Sequence, residues 1–247
     1  MRTPLRFAWT VALVGAVFAG FSSAHAGVVT FEMDTVFSGK PSPGGTPPWL
    51  TATVEDIAAN QVRITMSAHD LVGDEDATRW YFNLDEGLQL DPSNFSFARA
   101  ASDPGTVGNV DIGVGTNTTK ADGSGGFYDL TFDLPPPGNR LSAGELLVYD
   151  ITYSGAGTFG ADSFKFLSSD GFGGTTQYYS AVKIQSLAGG ESTWVGATDV
   201  GGGGGGGPGG VVPEPGTMVL LGTGLLGIAG VTRRRGKKGK NEEEPAS

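Results

Sequence analysis

Alternating apolar and polar residues dominate the middle of the chain, between Gly27 and Asp199. The alternation is clear in four segments: Trp49–Ile57, Gln61–His69, Phe127–Leu134 and Leu146–Ser154. Because successive side chains of a strand point to opposite faces, a period of two predicts strands that are buried on one face. Such strands stabilise each other when two sheets pack through their apolar faces. We therefore expect an all-β fold, a single β-sandwich or jelly-roll-like domain.

Further short segments are rich in Val, Ile, Thr and aromatic residues and end at Gly, Pro, Asn or Asp, which is typical of strands joined by turns. They are Val28–Phe37, Arg79–Leu84, Phe95–Arg99, Val110–Val114, Ser163–Leu167 and Gln177–Ser186. Together with the alternating segments they predict about ten strands and no long helix. The chain has no cysteine, which excludes disulfides and thiolate chemistry.

Charge is distributed unevenly along the chain. Residues 27–212 carry 8 Lys and Arg against 22 Asp and Glu, a net charge of −14, and the excess of basic residues lies at the two ends. A polyanion needs a basic face, so this balance excludes nucleic acid as a partner of the middle segment. An acidic surface is compatible with solubility outside the cell and with cations or neutral sugars as ligands.

The first 26 residues predict a secretory signal peptide. Arg2 and Arg6 form a positive amino-terminal region before an apolar run, and Ala24 and Ala26 are the small residues that precede a cleavage point. We expect cleavage after Ala26, so that the mature chain begins near Gly27. The alternative is an uncleaved membrane anchor.

A second membrane-directed segment lies near the carboxyl end. Gly216–Thr232 contains no charge, and at about 1.5 Å per residue a helix of this length spans about 25 Å, the short end of what crosses a bilayer. Pro213 and Pro215 cannot continue a helix, so we expect a transmembrane helix at 216–232. Cations follow at once and are expected to stay on the cytoplasmic side of the membrane.

Three features of the carboxyl end, in this order, resemble the PEP-CTERM sorting signal of Gram-negative bacteria. They are the triplet Pro213, Glu214 and Pro215, the uncharged span, and the cations Arg233, Arg234 and Arg235. The resemblance implies export, an inner-membrane intermediate, and cutting near the triplet by an exosortase, which is a membrane-embedded cysteine transpeptidase. It also implies release to the cell surface or the extracellular matrix, in bacteria that make exopolysaccharide and biofilm.

The chain therefore divides into five predicted parts. They are a signal peptide at 1–26, a β-sandwich extracellular domain at 27–199, a Gly-rich linker at 200–212, the sorting signal at 213–235 and a charged cytoplasmic tail at 236–247. Poly-Gly cannot pack a core, which is why the linker is read as a spacer. The tail is longer than is usual for the sorting signal. Arg79–Asp85 and Ala181–Ala197 also resemble the recurrent extracellular region of PEP-CTERM proteins.

Candidate catalytic residues are scarce in the predicted domain. His69 is its only histidine, and the adjacent Asp70 is expected on the other face of the strand, so no Ser-His-Asp triad is predicted. Gly155–Gly160 matches G-x-G-x-x-G, but no helix follows to bind a phosphate. No carboxylate pair for glycoside hydrolysis stands out among the acidic residues. We therefore predict that the protein is not an enzyme and has no catalytic residue.

An acidic loop makes calcium a candidate cofactor. Asp70, Asp74 and Asp76 would supply carboxylate oxygens to Ca²⁺, although the EF-hand pattern is absent. The alternative is a solvated acidic loop that binds nothing.

Adjacent aromatic residues raise an alternative function. They are Trp49, Trp80, Tyr81, Phe82, Tyr178, Tyr179 and Trp194. Neighbours in a strand lie on opposite faces, so some of these rings would face outward and stack on sugar rings. The alternative function is thus a carbohydrate-binding β-sandwich module, assisted by calcium, with extracellular polysaccharide as its partner. The competing interpretation of the aromatic pairs is a second packed sheet or simple core.

Overall fold

The computed structural model describes three ranges of the chain: 27–123, 125–169 and 177–202. Within them there are thirteen strands, two short 3₁₀ helices and no α-helix. The predictions outside these residues concern the signal peptide 1–26, the sorting signal 213–235 with its span 216–232, and the tail 236–247. Most of the linker 200–212 also lies outside them. Among the described residues, no helix has the length and apolar character needed to cross a membrane.

The strands in chain order are β1 Val28–Met33, β2 Thr35–Val36, β3 Leu50–Ala58, β4 Gln61–Ser67, β5 Asp76–Phe82, β6 Phe95–Arg99, β7 Asp111–Lys120, β8 Phe127–Asp133, β9 Leu141–Ser142, β10 Leu146–Tyr153, β11 Ser180–Gln185, β12 Thr193–Ala197 and β13 Val200–Gly202. The 3₁₀ helices are Pro92–Asn94 and Ala161–Phe164. They form two antiparallel sheets. The first sheet has the order β13-β1-β3-β4-β10-β6. The second has the order β2-β12-β11-β5-β8-β7, with β9 also paired to β5.

The core lies between the two sheets, as the alternating pattern predicts. In β4 the side chains of Val62, Ile64 and Met66 are fully buried and their neighbours are half-buried. Aromatic rings join the sheets: Phe31 of β1 lies 5.8 Å from Phe82 of β5, measured between ring centroids. The prediction of an all-β, sandwich-like fold is confirmed in its coarse form, because two antiparallel sheets enclose one apolar core.

The second sheet is also covered on its outer face. Tyr81, Tyr128 and Trp194 form a second buried cluster there, on the side away from the main core. The half-buried Phe37 packs against this cluster, 6.3 Å from Trp194 between ring centroids. Strand β12 is consequently buried along its whole length, which removes the alternation that sequence analysis relies on.

Several predicted boundaries differ from the structure. Ser163–Leu167 is not a strand: the chain forms a 3₁₀ helix over Ala161–Phe164, closed by a hydrogen bond from the Ser163 N–H to the Gly160 carbonyl. Val28–Phe37 is not one strand either, since it divides at Asp34 into β1 in the first sheet and β2 in the second. The break lets the chain pass from one layer to the other.

Candidate functional site

The two ends of the sandwich domain meet at one sheet edge. Strand β13 pairs antiparallel with β1, so that Gly202 lies opposite Val29 and Val200 lies opposite Phe31. The chain therefore enters β1 and leaves β13 at neighbouring points. The predicted linker loses its first three residues to this strand, and the sandwich extends to Gly202 rather than Asp199.

A carboxylate anchors this end of the domain. Asp56, near the end of β3, accepts a hydrogen bond from the Gly27 N–H at 2.9 Å and another from the Ala161 N–H at 2.6 Å. The Asp56 N–H in turn donates to the Gly27 carbonyl at 2.9 Å. One side chain thus links the first described residue to β3 and to the 3₁₀ helix that begins at Ala161. Sequence analysis missed Asp56, because nothing distinguishes it from the other acidic residues in the sequence.

An open groove lies beside this anchor. Its volume is about 790 Å³, and its lining includes Asp56, Ile57, Asn60, Asp85, Asp162 and Phe166. Ile57 is partly exposed, and Asp162 is an exposed carboxylate that pairs with Lys165 at 2.6 Å. The lining of the groove therefore includes both apolar surface and oxygen acceptors.

The three predicted calcium ligands are not brought together. Asp76, at the start of β5, is buried and accepts a hydrogen bond from Arg140 at 3.0 Å. Burial raises the pKa of Asp76, and the hydrogen bond from Arg140 offsets part of that rise. Asp70 and Asp74 are exposed loop residues. No group of three or more His, Asp or Glu side chains is placed to hold a metal ion within the described residues.

The most buried acid of this loop is Glu75, and its carboxylate is already engaged. Its two oxygens accept hydrogen bonds from the Gly44 N–H at 2.8 Å and the Val72 N–H at 3.1 Å. Glu75 thus closes the loop onto a neighbouring segment. Calcium binding at this loop stays a prediction, and the geometry offers it fewer free oxygens than the sequence does.

His69 and Asp70 lie closer together than predicted. Strand β4 ends at Ser67, so both residues belong to the following loop and the rule of opposite faces no longer applies. The His69 Nε2 lies 3.2 Å from an Asp70 carboxylate oxygen, and both side chains are well exposed. The expectation that Asp70 points away from His69 was wrong for this reason.

The outward aromatic surface predicted from the sequence is also wrong. Trp49, Trp80, Tyr81, Phe82, Tyr178 and Trp194 are all buried, and Tyr179 is half-buried. The indole N–H groups of Trp80 and Trp194 donate to Ser180 and Asp122, at 3.0 and 3.1 Å. The competing interpretation of these rings as core is confirmed, because Trp80 and Phe82 belong to the main core and Tyr81 and Trp194 to a second buried cluster.

Comparison with known proteins places one family pattern on the chain. The PEP-CTERM protein-sorting motif matches residues 211–235, which confirms the sorting signal predicted at 213–235. These residues lie outside the described ranges. The motif implies an exported chain that an exosortase processes through a membrane-anchored intermediate. No curated protein and no solved structure matches the chain.

Proposed function

We propose that this protein is a non-enzymatic component of the cell surface or extracellular matrix, exported with a cleaved signal peptide and processed by an exosortase near Pro213–Pro215. The observation that carries the proposal is the PEP-CTERM motif at 211–235, which follows a closed antiparallel sandwich that ends at Gly202. We expect the protein to act in association with exopolysaccharide or biofilm.

The arrangement of the chain ends supports this proposal. Both ends of the sandwich leave from neighbouring points on the β1–β13 edge. A signal peptide and a sorting signal can then be removed without cutting any described strand, because each is attached outside β1 and β13. The folded domain would be released whole.

The test targets the Pro-Glu-Pro triplet. X-Pro geometry favours an extended backbone, which a transpeptidase requires in its substrate. Replacing Pro213, Glu214 and Pro215 together by alanine should therefore leave an uncleaved, membrane-retained precursor. The measurement is an immunoblot of membrane and culture-medium fractions from a host with its own exosortase. Pro208→Ala, a proline in the same segment but outside the triplet, is the matched control and should be processed normally.

The result that overturns the proposal is equally definite. If the triple-alanine protein is cut and released like the wild type, the triplet is not the sorting determinant. The carboxyl end would then act as an ordinary membrane anchor. Loss of processing in both the triple-alanine protein and Pro208→Ala would point instead to general sensitivity of the linker.

Binding of extracellular polysaccharide is a second candidate function, and the groove beside Asp56 favours it. The buried aromatic rings give no stacking surface, but the groove combines apolar side chains with carboxylate and amide oxygens. Sugars present apolar faces and hydroxyl donors that match such a lining. A glycan array probed with the wild type should therefore give binding that Phe166→Ala removes.

The control for the groove is Leu146→Ala, which changes a partly exposed apolar residue at the start of β10, outside the groove lining. This variant should bind like the wild type. Repeating the array with a chelator separates direct from calcium-assisted binding. No binding by the wild type, or equal binding by both variants, would remove the groove as a carbohydrate site.

A further inference from the structure

We propose that Asp56 is a binding site for the α-ammonium group that signal-peptide cleavage creates at Gly27. The inference rests on the proposed cleavage after Ala26. In the precursor the Gly27 nitrogen is a peptide N–H that already lies 2.9 Å from an Asp56 carboxylate oxygen. Cleavage would turn this contact between a neutral donor and a carboxylate into an ion pair without moving the chain.

The carboxylate has no other cation in the part of the chain that the structure describes. Its second oxygen accepts the Ala161 N–H, and the ion pairs of the described residues all involve other acids. Asp56 is half-buried, so its charge is only partly compensated by water. A half-buried carboxylate with two amide donors and no counter-ion favours a positive group at the position of the Gly27 nitrogen.

Glycine residues lie close to this carboxylate on both sides. A Cβ atom at Gly27 would lie 2.7 Å from one Asp56 oxygen, and a Cβ atom at Gly160 would lie 2.9 Å from the other. Carbon and oxygen atoms do not approach this closely without a shift of one of them. The two glycines therefore allow the backbone to approach the carboxylate, and a residue other than glycine after the cleavage point would disturb the contact.

The chemical step is simple hydrolysis by the peptidase that removes the leader. One water molecule is consumed, the new carboxylate stays on Ala26, and the Gly27 nitrogen becomes an ammonium with three N–H donors. The amide-to-carboxylate contact of the precursor is already charge-assisted through its acceptor, and cleavage adds the attraction between a full positive and a full negative charge. The processed domain is thus more stable than the same domain with its leader attached, and the added stability lies at the start of β1.

This link also protects the sheet edge. Strand β1 holds β3 on one side and β13 on the other, so fraying of β1 would release both neighbours. The Gly27–Asp56 contact ties the beginning of β1 to β3 and, through Ala161, to the 3₁₀ helix. Export would therefore strengthen the edge from which the carboxyl segment departs.

The experiment compares two chains purified in detergent. One begins at Gly27, produced by cutting a removable fusion, and the other begins at Ala24 and so carries three more residues. Both end at Ser247. We expect the chain that begins at Gly27 to unfold about 2–4 °C higher, the shift that one partly buried ion pair produces in a domain of this size.

Two variants make the comparison specific. In Asp56→Asn the difference in Tm between the two chains should disappear, because a neutral amide has no negative charge to attract the ammonium. In Asp34→Asn, which changes an exposed acid after β1, the difference should persist. Equal Tm values for the two wild-type chains, or a difference that survives in Asp56→Asn, would overturn the inference.

The native amino terminus separates this inference from the proposed function. Amino-terminal sequencing of the exported protein should start at Gly27. A different start overturns ammonium binding in the exported protein, even if the purified chains show the difference in Tm. It leaves sorting through the triplet untouched, since that is read from the carboxyl-terminal immunoblot.

Discussion

Breaking the ion pair between Asp76 and Arg140 would test whether the acidic residues near the predicted calcium loop stabilise the fold. The side chains are only 11% and 14% exposed, and the Arg140 guanidinium also donates to the Pro135 carbonyl and to Gln185, each at 3.1 Å. Replacing Arg140 by methionine removes these contacts and leaves a buried carboxylate without a partner. Breaking a buried pair in this way costs about 3–5 kcal/mol.

We expect the Arg140→Met variant to lie at the lower limit, about 3 kcal/mol, because both side chains keep some contact with solvent. For a domain of this size that corresponds to a fall in Tm of about 6–12 °C. The assay is thermal unfolding of residues 27–202 followed by circular dichroism. Arg79→Met is the control, since its partner Asp133 and Arg79 itself are half exposed, and this pair should contribute less than about 1 kcal/mol.

The pH dependence gives a second check. Burial already raises the pKa of Asp76, and losing Arg140 raises it further. The folded variant then binds a proton more tightly than its unfolded chain, so its stability relative to the wild type should increase as the pH falls from 7 towards 4. The reasoning would be refuted if the difference in stability between Arg140→Met and the wild type widened on acidification. It would also be refuted if Arg140→Met lost no more stability than Arg79→Met.

Two further predictions concern the other acidic residues. Asp129 is buried and accepts the N–H groups of Leu84 and Asn117 at 3.0 and 2.7 Å. Asp129→Ala leaves both donors without a partner and should lower the free energy of unfolding by about 2–4 kcal/mol. Urea unfolding measures this change, and a loss below about 1 kcal/mol would contradict the prediction. A chelator should leave the Tm of the wild type unchanged if residues 70–76 are a solvated loop, whereas a fall of several degrees would indicate bound calcium.

Sequence analysis succeeds where one face of a strand is buried and the other is not. Strands β3 and β4 follow the predicted segments closely because their alternation reflects this difference. Strands β8 and β10 also match predicted segments, although β8 is buried on both faces. It misses Thr193–Ala197, which is buried on both sides and has no period of two. It also misses Val200–Gly202, where a strand at the start of a glycine run is held by pairing with β1 rather than by its own side chains. Tertiary contacts decide both cases.

The same distinction between local sequence patterns and tertiary contacts applies to the candidate site. The sorting motif is local, since its triplet, span and cations are contiguous, and the sequence alone locates it. Asp56 and Arg140 depend on contacts over long separations, 29 residues from Gly27 and 64 residues from Asp76. Neither the spacing nor the composition of the chain distinguishes them from acids and bases that lie in solvent.

Several acidic side chains of the domain have a structural role that the net charge alone does not reveal. With few cations available, several carboxylates bind backbone N–H groups instead: Glu75 joins Gly44 to Val72, and Asp129 accepts the N–H groups of Leu84 and Asn117. A carboxylate oxygen engaged in this way is less available to a metal ion or a sugar. The negative charge of the domain is therefore weak support for a ligand, and the strongest functional information lies in the sorting motif matched at residues 211–235.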